Sequence, residues 1–233
     1  MLVSVIVPVK YLGRYCGRPF EVCYADIVLA SSTYRDFYYT LRSSGQIVVM
    51  DQSPLLPRRP ISEEDFLTAI SLVKPDIIML PNIEFSSEKT IAASREFLSG
   101  YKDRSRQVTA GVLQGYNLTE LGKCYKALRE TCEIIGLPSS NEKVLNRGDL
   151  IDRLGITEPV IYLEVHRDPF REFPRHSNVV GIGTSLPIRL AYELRVLSEF
   201  LPSPKPLGFF TTEDLIPELA DKNIKDLLGL LEG

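Results

Sequence analysis

The chain has 233 residues, 44% of them apolar and 24% charged, which is enough for one good core and ordinary for a globular protein. A net charge of -3 argues against a nonspecific nucleic-acid coat while leaving room for a local basic patch. The apolar start, LVSVIVPV, is too short to span a bilayer and follows no basic run, so the expectation is a cytoplasmic protein without a membrane segment, in a bacterial or phage-infected cell.

Taken in order, the apolar runs are LVSVIVPV (2–9), ADIVLAS (25–31), QIVVMD (46–51), DIIML (76–80), VTAGVL (108–113), EIIGL (133–137), VIYLEV (160–165), NVVGIG (178–183) and LGFF (207–210). Most are continuous and rich in Val and Ile, as strands covered on both faces require. Between them lie the helical patterns SEEDFLTAISLV, SSEKTIAASREFLSGY, NLTELGKCYKALRETC, NRGDLIDRLG and LPIRLAYELRVLSEFL, several opening on a Ser or Asn cap with an acidic first turn. The tail from Leu215 to Gly233 reads as a terminal helix. Strands alternating with helices predict a parallel sheet, and this many units predict a single α/β domain over 1–233 of TIM-type (β/α)8 barrel form. Nine strand candidates compete for eight places, so the barrel is irregular or reduced, with the first run or LGFF outside it. An open doubly wound sheet is the alternative, although no GxGxxG follows the first strand.

Cys16, Cys23, Cys124 and Cys132 lack CxxC spacing and read as free thiols. His166 and His176 lie ten apart on a proline-broken segment, too few ligands for a metal site, and no cofactor motif is present.

In a parallel barrel, ligands meet the carboxyl ends of the strands. Asp51 ends the third run; Pro81-Asn82 follow the fourth, Gln114-Gly115 the fifth, Gly136 lies in the sixth, Glu164 and His166 in and after the seventh, and Gly181 and Gly183 in the eighth. A Gln amide beside a glycine suits a flat heterocycle, since the amide donates and accepts while the missing Cβ admits the main chain. Asp51 also fits a turn cap before Pro54, and Asn82 a turn residue after Pro81. Basic residues gather at Arg58-Arg59, at Lys102, Arg104 and Arg106, and in HRDPFREFPRH, where Arg167, Arg171 and Arg175 mix with Phe170 and Phe173 in a pattern suited to phosphates and unpaired bases.

Five words in order carry a resemblance: VVMDQSP, KPDIIMLPNIEFSSEKT, GVLQGYN, IIGLP and NVVGIGTSLPIRLAYEL. From about Gln46 to Gly183 the chain resembles the tRNA-guanine transglycosylase superfamily, and more closely its DNA-acting branch, which inserts 7-deazaguanine bases into DNA. The resemblance implies base exchange through a covalent glycosyl-enzyme intermediate, with DNA or alternatively tRNA and a 7-deazaguanine base as partners, and with a homodimer or partner subunit as a further expectation. Asp51 matches the proton-transferring and base-binding Asp, while Gln114, Gly115 and Gly136 match the base-reading loops and Gly181 and Gly183 the late glycine strand. Two departures stand out. Asn82 replaces an Asp that grips the guanine edge, and in LGFFTTEDL Phe210 takes the place of the nucleophilic Asp, for which Asp214, or Glu213, is the substitute if the loop folds back; otherwise Thr211 to Asp214 simply cap the last helix. The zinc hairpin of the tRNA-acting enzymes is absent. Two other readings remain: a non-catalytic relative that binds bases or nucleic acid, and an unrelated barrel enzyme whose GIGTS (181–185) cradles a phosphate.

Overall fold

The structure, a computed structural model, describes residues 1–52, 61–101, 107–164, 176–192 and 215–232, with no side-chain description for Tyr192, Leu231 and Glu232. Eight parallel strands, β1 (Leu2–Val5), β2 (Phe20–Tyr24), β3 (Ile47–Asp51), β4 (Ile77–Met79), β5 (Val108–Val112), β6 (Ile134–Pro138), β7 (Val160–Leu163) and β8 (Val179–Thr184), form one sheet in the order β1-β8-β7-β6-β5-β4-β3-β2. The sheet rolls into a nearly closed (β/α)8 barrel of TIM type. The helices are α1 (Leu12–Tyr15), α2 (Ala25–Ala30), α3 (Ser32–Ser43), α4 (Glu63–Val73), α5 (Ser87–Gly100), α6 (Leu118–Leu128), α7 (Arg147–Leu154), α8 (Leu186–Tyr192) and α9 (Pro217–Glu232).

Local chemistry sets the helix boundaries. Ser62, Ser86, Asn117 and Asn146 each accept a backbone N–H of the first turn, the N-cap bond that orphan donors need. At α6 the capped Glu120 also reaches back past Asn117, its Oε2 accepting the Tyr116 N–H at 3.1 Å. α4 ends on Lys74 and α7 on Gly155, both in the left-handed conformation that terminates helices.

One expectation is corrected. The run ADIVLAS is not a strand: Ala25–Ala30 is helix α2, and the second strand is the preceding FEVCY. A buried Glu21 interrupts that strand's apolar pattern, whereas α2, packed beneath α3 and α4, carries an apolar run too short for its period to show. The first apolar run lies inside the barrel as β1, paired with β8. LGFF lies outside the described residues.

The seam between β1 and β2 is closed by side chains. The Val22 N–H donates to Ser4 Oγ at 2.9 Å, and the Ser4 hydroxyl donates to Glu21 Oε2 at 2.8 Å. Glu21 Oε1 accepts from the Gly17 and Arg18 N–H groups, each at 2.8 Å. Burial raises the Glu21 pKa against the opposing pull of these bonds. Across the seam, a Cβ on Gly181 would stand 2.7 Å from Phe20 Cζ, and one on Gly183 would stand 3.2 Å from Val22 Cγ2. These two glycines therefore seat the β2 side chains inside the barrel. Gly181→Ala is expected to destabilise the fold by about 1–3 kcal/mol through overpacking, with partial recovery on adding Phe20→Leu. An unchanged urea midpoint for the single variant would mean that the ring is not seated there.

The two ends of the barrel differ in their polar groups. At the amino end, Asp76 Oδ2 accepts the Val48 N–H at 3.0 Å, Glu133 Oε2 accepts the Thr109 N–H at 3.0 Å, and Asn178 donates to the Ile156 and Glu158 carbonyls, each at 3.0 Å. Each ties the start of a strand to its neighbour's edge, a stabilising role. The groove lined by Arg42, Lys74, Tyr101 and Gln107 belongs to this end. Titratable groups without that role gather at the opposite end. Among the described residues no helix is long and apolar enough to cross a membrane.

Candidate functional site

β2 and β3 run in register, so Tyr24 and Asp51 are paired neighbours at the carboxyl mouth. Asp26, in the first turn of α2, follows Tyr24 and accepts the Ile27 N–H at 2.8 Å; its own N–H reaches the Gln52 carbonyl at 3.3 Å. Across the mouth, Glu164 follows β7 with φ of +52°, a left-handed conformation that costs a non-glycine residue energy unless its surroundings enforce it. The partly buried Asp51 has its pKa pushed up to about 6. Burial is the main cause, and the negative charges of Glu164 and Asp26 add to it, while the Gln52 N–H, donated to Asp51 Oδ1 at 2.8 Å, opposes it. The Tyr24 hydroxyl is likewise held well above its ordinary range by burial, then by Glu164 and Asp51. A carboxyl poised near neutrality beside a second carboxylate is the arrangement general acid–base chemistry uses.

The adjacent strand ends hold amides. Gln114 Nε2 donates to Asn82 Oδ1 at 2.9 Å, and Gln114 Oε1 accepts the Phe85 N–H at 3.2 Å. The Gln114 side chain is buried and Asn82 partly so, which leaves the Asn82 face of the pair toward the mouth. Among the described residues Asn82 Nδ2 makes only a long contact to the Leu80 carbonyl, at 3.4 Å. Each residue was expected to present an amide to a ligand; the structure joins the two amides into one unit.

The glycines serve different ends. A Cβ on Gly115 would come within 2.9 Å of Glu120 Cβ and the Leu121 nitrogen, so its absence lets the loop lie against the start of α6. A Cβ on Gly136 would lie 3.3 Å from Leu163 Cδ1 and 3.4 Å from Val112 Cγ2, in ordinary to tight contact inside the barrel. Gly181 and Gly183 lie at the seam already described. In the GIGTS segment, Thr184 Oγ1 accepts the Leu186 N–H at 3.1 Å, so one amide expected to cradle a phosphate is already occupied.

Behind the mouth, Arg147 at the start of α7 is fully buried. Its Nη1 donates to the carbonyls of Leu137, at 3.2 Å, and Leu163, at 3.1 Å; its Nη2 pairs with Glu142 at 3.0 Å, and its guanidinium lies 4.5 Å from the centre of the Tyr162 ring. It thereby fixes the ends of β6 and β7, including the residue before Glu164.

Asp214, Arg167, Arg171 and Arg175 lie outside the described residues, as do Arg58, Arg59, Lys102, Arg104 and Arg106. His176 is described and lies 3.7 Å from Asp152, on the outer side of α7. The four cysteines are free thiols, three of them buried. Among the described residues no three of His, Cys, Asp and Glu are grouped to hold a metal ion.

Sequence reasoning did not assign Tyr24, Asp26 or Arg147 to the site. Tyr24 fell just before the misplaced second strand and Asp26 inside it. Glu164 was visible as a strand-end carboxylate without a role. Compared with known proteins, the chain matches no family model and no curated sequence, so a functional reading rests on its own residues.

Proposed function

We propose that this barrel is a guanine transglycosylase that exchanges guanine in DNA for a 7-deazaguanine base through a covalent glycosyl-enzyme intermediate. The observation that supports it most is Asp51, a carboxyl held up to about 6 at the mouth, next to the joined Asn82–Gln114 amides. A departing guanine needs a proton as its bond to the sugar breaks, and an oxocarbenium-like C1′ needs a carboxylate. In the proposed sequence a carboxylate oxygen bonds to C1′, the C1′–N9 bond breaks with its electron pair on the base, and Asp51 supplies the proton. The incoming base then attacks C1′, returns its proton to Asp51 and frees the carboxylate, so no oxidant or reductant is consumed. The resemblance puts the nucleophile where Phe210 stands, with Asp214 as its substitute; among the described carboxylates Glu164 adds most to the raised Asp51 pKa.

The base would have to leave its stack, and the Asn82 amide with nearby main chain would read its edge. The Asn82 amide offers one acceptor where a carboxylate offers two, which predicts a weaker grip on the N1–H and amino group together. A non-catalytic, base-binding relative is the second reading, favoured by Phe210 in the place of the family's nucleophile.

The test is incorporation of labelled guanine or 7-deazaguanine into duplex DNA, single-stranded DNA and tRNA, with Asp214→Asn and Glu164→Gln run in parallel. Incorporation into one polymer identifies the substrate, and the variant that abolishes it identifies the nucleophile. Purine binding without incorporation supports the non-catalytic relative, and neither binding nor incorporation overturns the proposal. Gln114→Ala is expected to weaken purine binding by about 1–3 kcal/mol, because it frees Asn82 and leaves the Phe85 N–H without its acceptor. An unchanged dissociation constant in calorimetry would remove the amide pair from the binding site.

A further inference from the structure

On the rim beside the amide pair, two aromatic rings stack on each other. Phe85 and Tyr116 have ring centres 5.8 Å apart and planes 16° from parallel. Phe85 follows Asn82 by three residues, and Tyr116 follows Gln114 by two. Lys143, from the turn after β6, holds its Nζ 4.3 Å from the centre of the Phe85 ring. The Tyr116 side chain is 68% exposed, so its outer face meets solvent.

The backbones under both rings are clamped. Phe85 has φ of +60°, unusual for a bulky residue, and its N–H is held by Gln114 Oε1 at 3.2 Å. Its loop is tied down by the Thr90 hydroxyl, which accepts the Ile83 N–H at 2.9 Å and donates to the Ile83 carbonyl at 3.1 Å. The Tyr116 N–H is held by Glu120 at 3.1 Å. A single exposed aromatic residue needs no explanation. A preorganised stack with a cation over its Phe85 ring, fixed to the same Gln114 that holds Asn82, has the parts of a platform for an unpaired base and its phosphate.

We infer that Phe85, Tyr116 and Lys143 form a stacking platform for a nucleotide next to the exchanged one, with the base on the exposed Tyr116 ring and its phosphate toward Lys143. The inference rests on the base-exchange reading for the class of partner. The shared chemistry is single-stranded nucleic acid. A base flipped into the mouth leaves its neighbour unstacked, and the exposed ring replaces the lost contact.

The test measures binding of 12-nucleotide single-stranded DNA and RNA of one sequence, and separately of free 7-deazaguanine, to the full chain and its variants. Tyr116→Ala is expected to weaken oligonucleotide binding about tenfold, with Tyr116→Phe close to the unaltered chain and free-base binding unchanged in both. Lys143→Ala is expected to reduce the dependence of binding on salt by about one phosphate contact. The stronger of the DNA and RNA arms identifies the polymer. Equal oligonucleotide affinity for the unaltered chain and Tyr116→Ala overturns the platform, even where free base binds well. Absent free-base binding with the Tyr116 dependence intact overturns the base-exchange reading alone.

Discussion

Asp51→Asn is expected to lower base exchange by about 10²- to 10⁴-fold, the span that a positioned acid–base group contributes, and at the same time to make the protein more stable above neutral pH. The amide keeps the size and the acceptor for the Gln52 N–H but cannot carry a proton to the departing base. The stability effect follows from the direction of the shift. The Asp51 pKa rises from 3.8 to about 6 on folding, so the folded chain holds a proton there that the unfolded chain has lost. Its favourable contribution is complete below about pH 4 and disappears as pH rises through about 6, with an upper bound of about 3 kcal/mol. Asp51→Asn lacks this dependence. Unfolding midpoints at pH 4 and pH 8 check it: the variant and the unaltered chain should nearly coincide at pH 4 and separate at pH 8. A parallel pH dependence for both would remove the buried carboxyl as the cause, and unchanged exchange would remove Asp51 from the chemistry.

The largest structural effect is expected at Arg147. Truncation to alanine should destabilise the fold by about 3–5 kcal/mol, because it leaves the buried Glu142 carboxylate without its cation and takes a donor from two strand-end carbonyls. Arg147→Lys should recover only part of this, since one ammonium cannot reproduce a planar fork that bonds two carbonyls and a carboxylate at once. A paired Arg147→Met, Glu142→Leu chain should be far more stable than Arg147→Ala, as removing both charges is much less costly than stranding one. Chemical denaturation measures all three. A loss below about 1 kcal/mol for Arg147→Ala would mean that the ion pair is not the anchor of the β6 and β7 ends.

The fold was legible where the chain repeats one simple pattern. From β3 to α7, apolar runs of strand length alternate with helices opened by Ser or Asn caps, and each predicted element matches an observed one within a few residues. The pattern failed near the amino terminus, where β2 buries Glu21 and the six-residue α2 exposes Leu29 and Ala30 in place of a polar face. α3 was missed as well: its Tyr34, Tyr38 and Phe37 are poor helix formers, and tertiary packing of their rings under the barrel edge overrides the propensity. The site was legible as a set of strand ends. Asp51, Asn82 and Gln114 could be placed at neighbouring strand ends because parallel topology brings carboxyl ends together wherever they stand in the chain. The glycines carried less meaning than expected, since a missing Cβ looks the same in sequence whether it admits a ligand or, as at Gly181, a phenylalanine ring. Arg147 left no readable signal, because an arginine in a polar helix start looks solvated until its carbonyl partners are known.

The strand order has a consequence for how the chain becomes a barrel. From β2 to β8 every strand pairs with the next in sequence, so seven strands can zip together as a growing curved sheet using contacts across short stretches of chain. Among the described residues β1 pairs by backbone with β8 alone, the last of the eight strands in sequence, and meets β2 through the Ser4 hydroxyl. During synthesis β1 must therefore wait for β8, which is made after the six strands between them, and its apolar residues stay uncovered until then. The slowest step of assembly, and the interval most open to misassociation, then belongs to the amino-terminal strand.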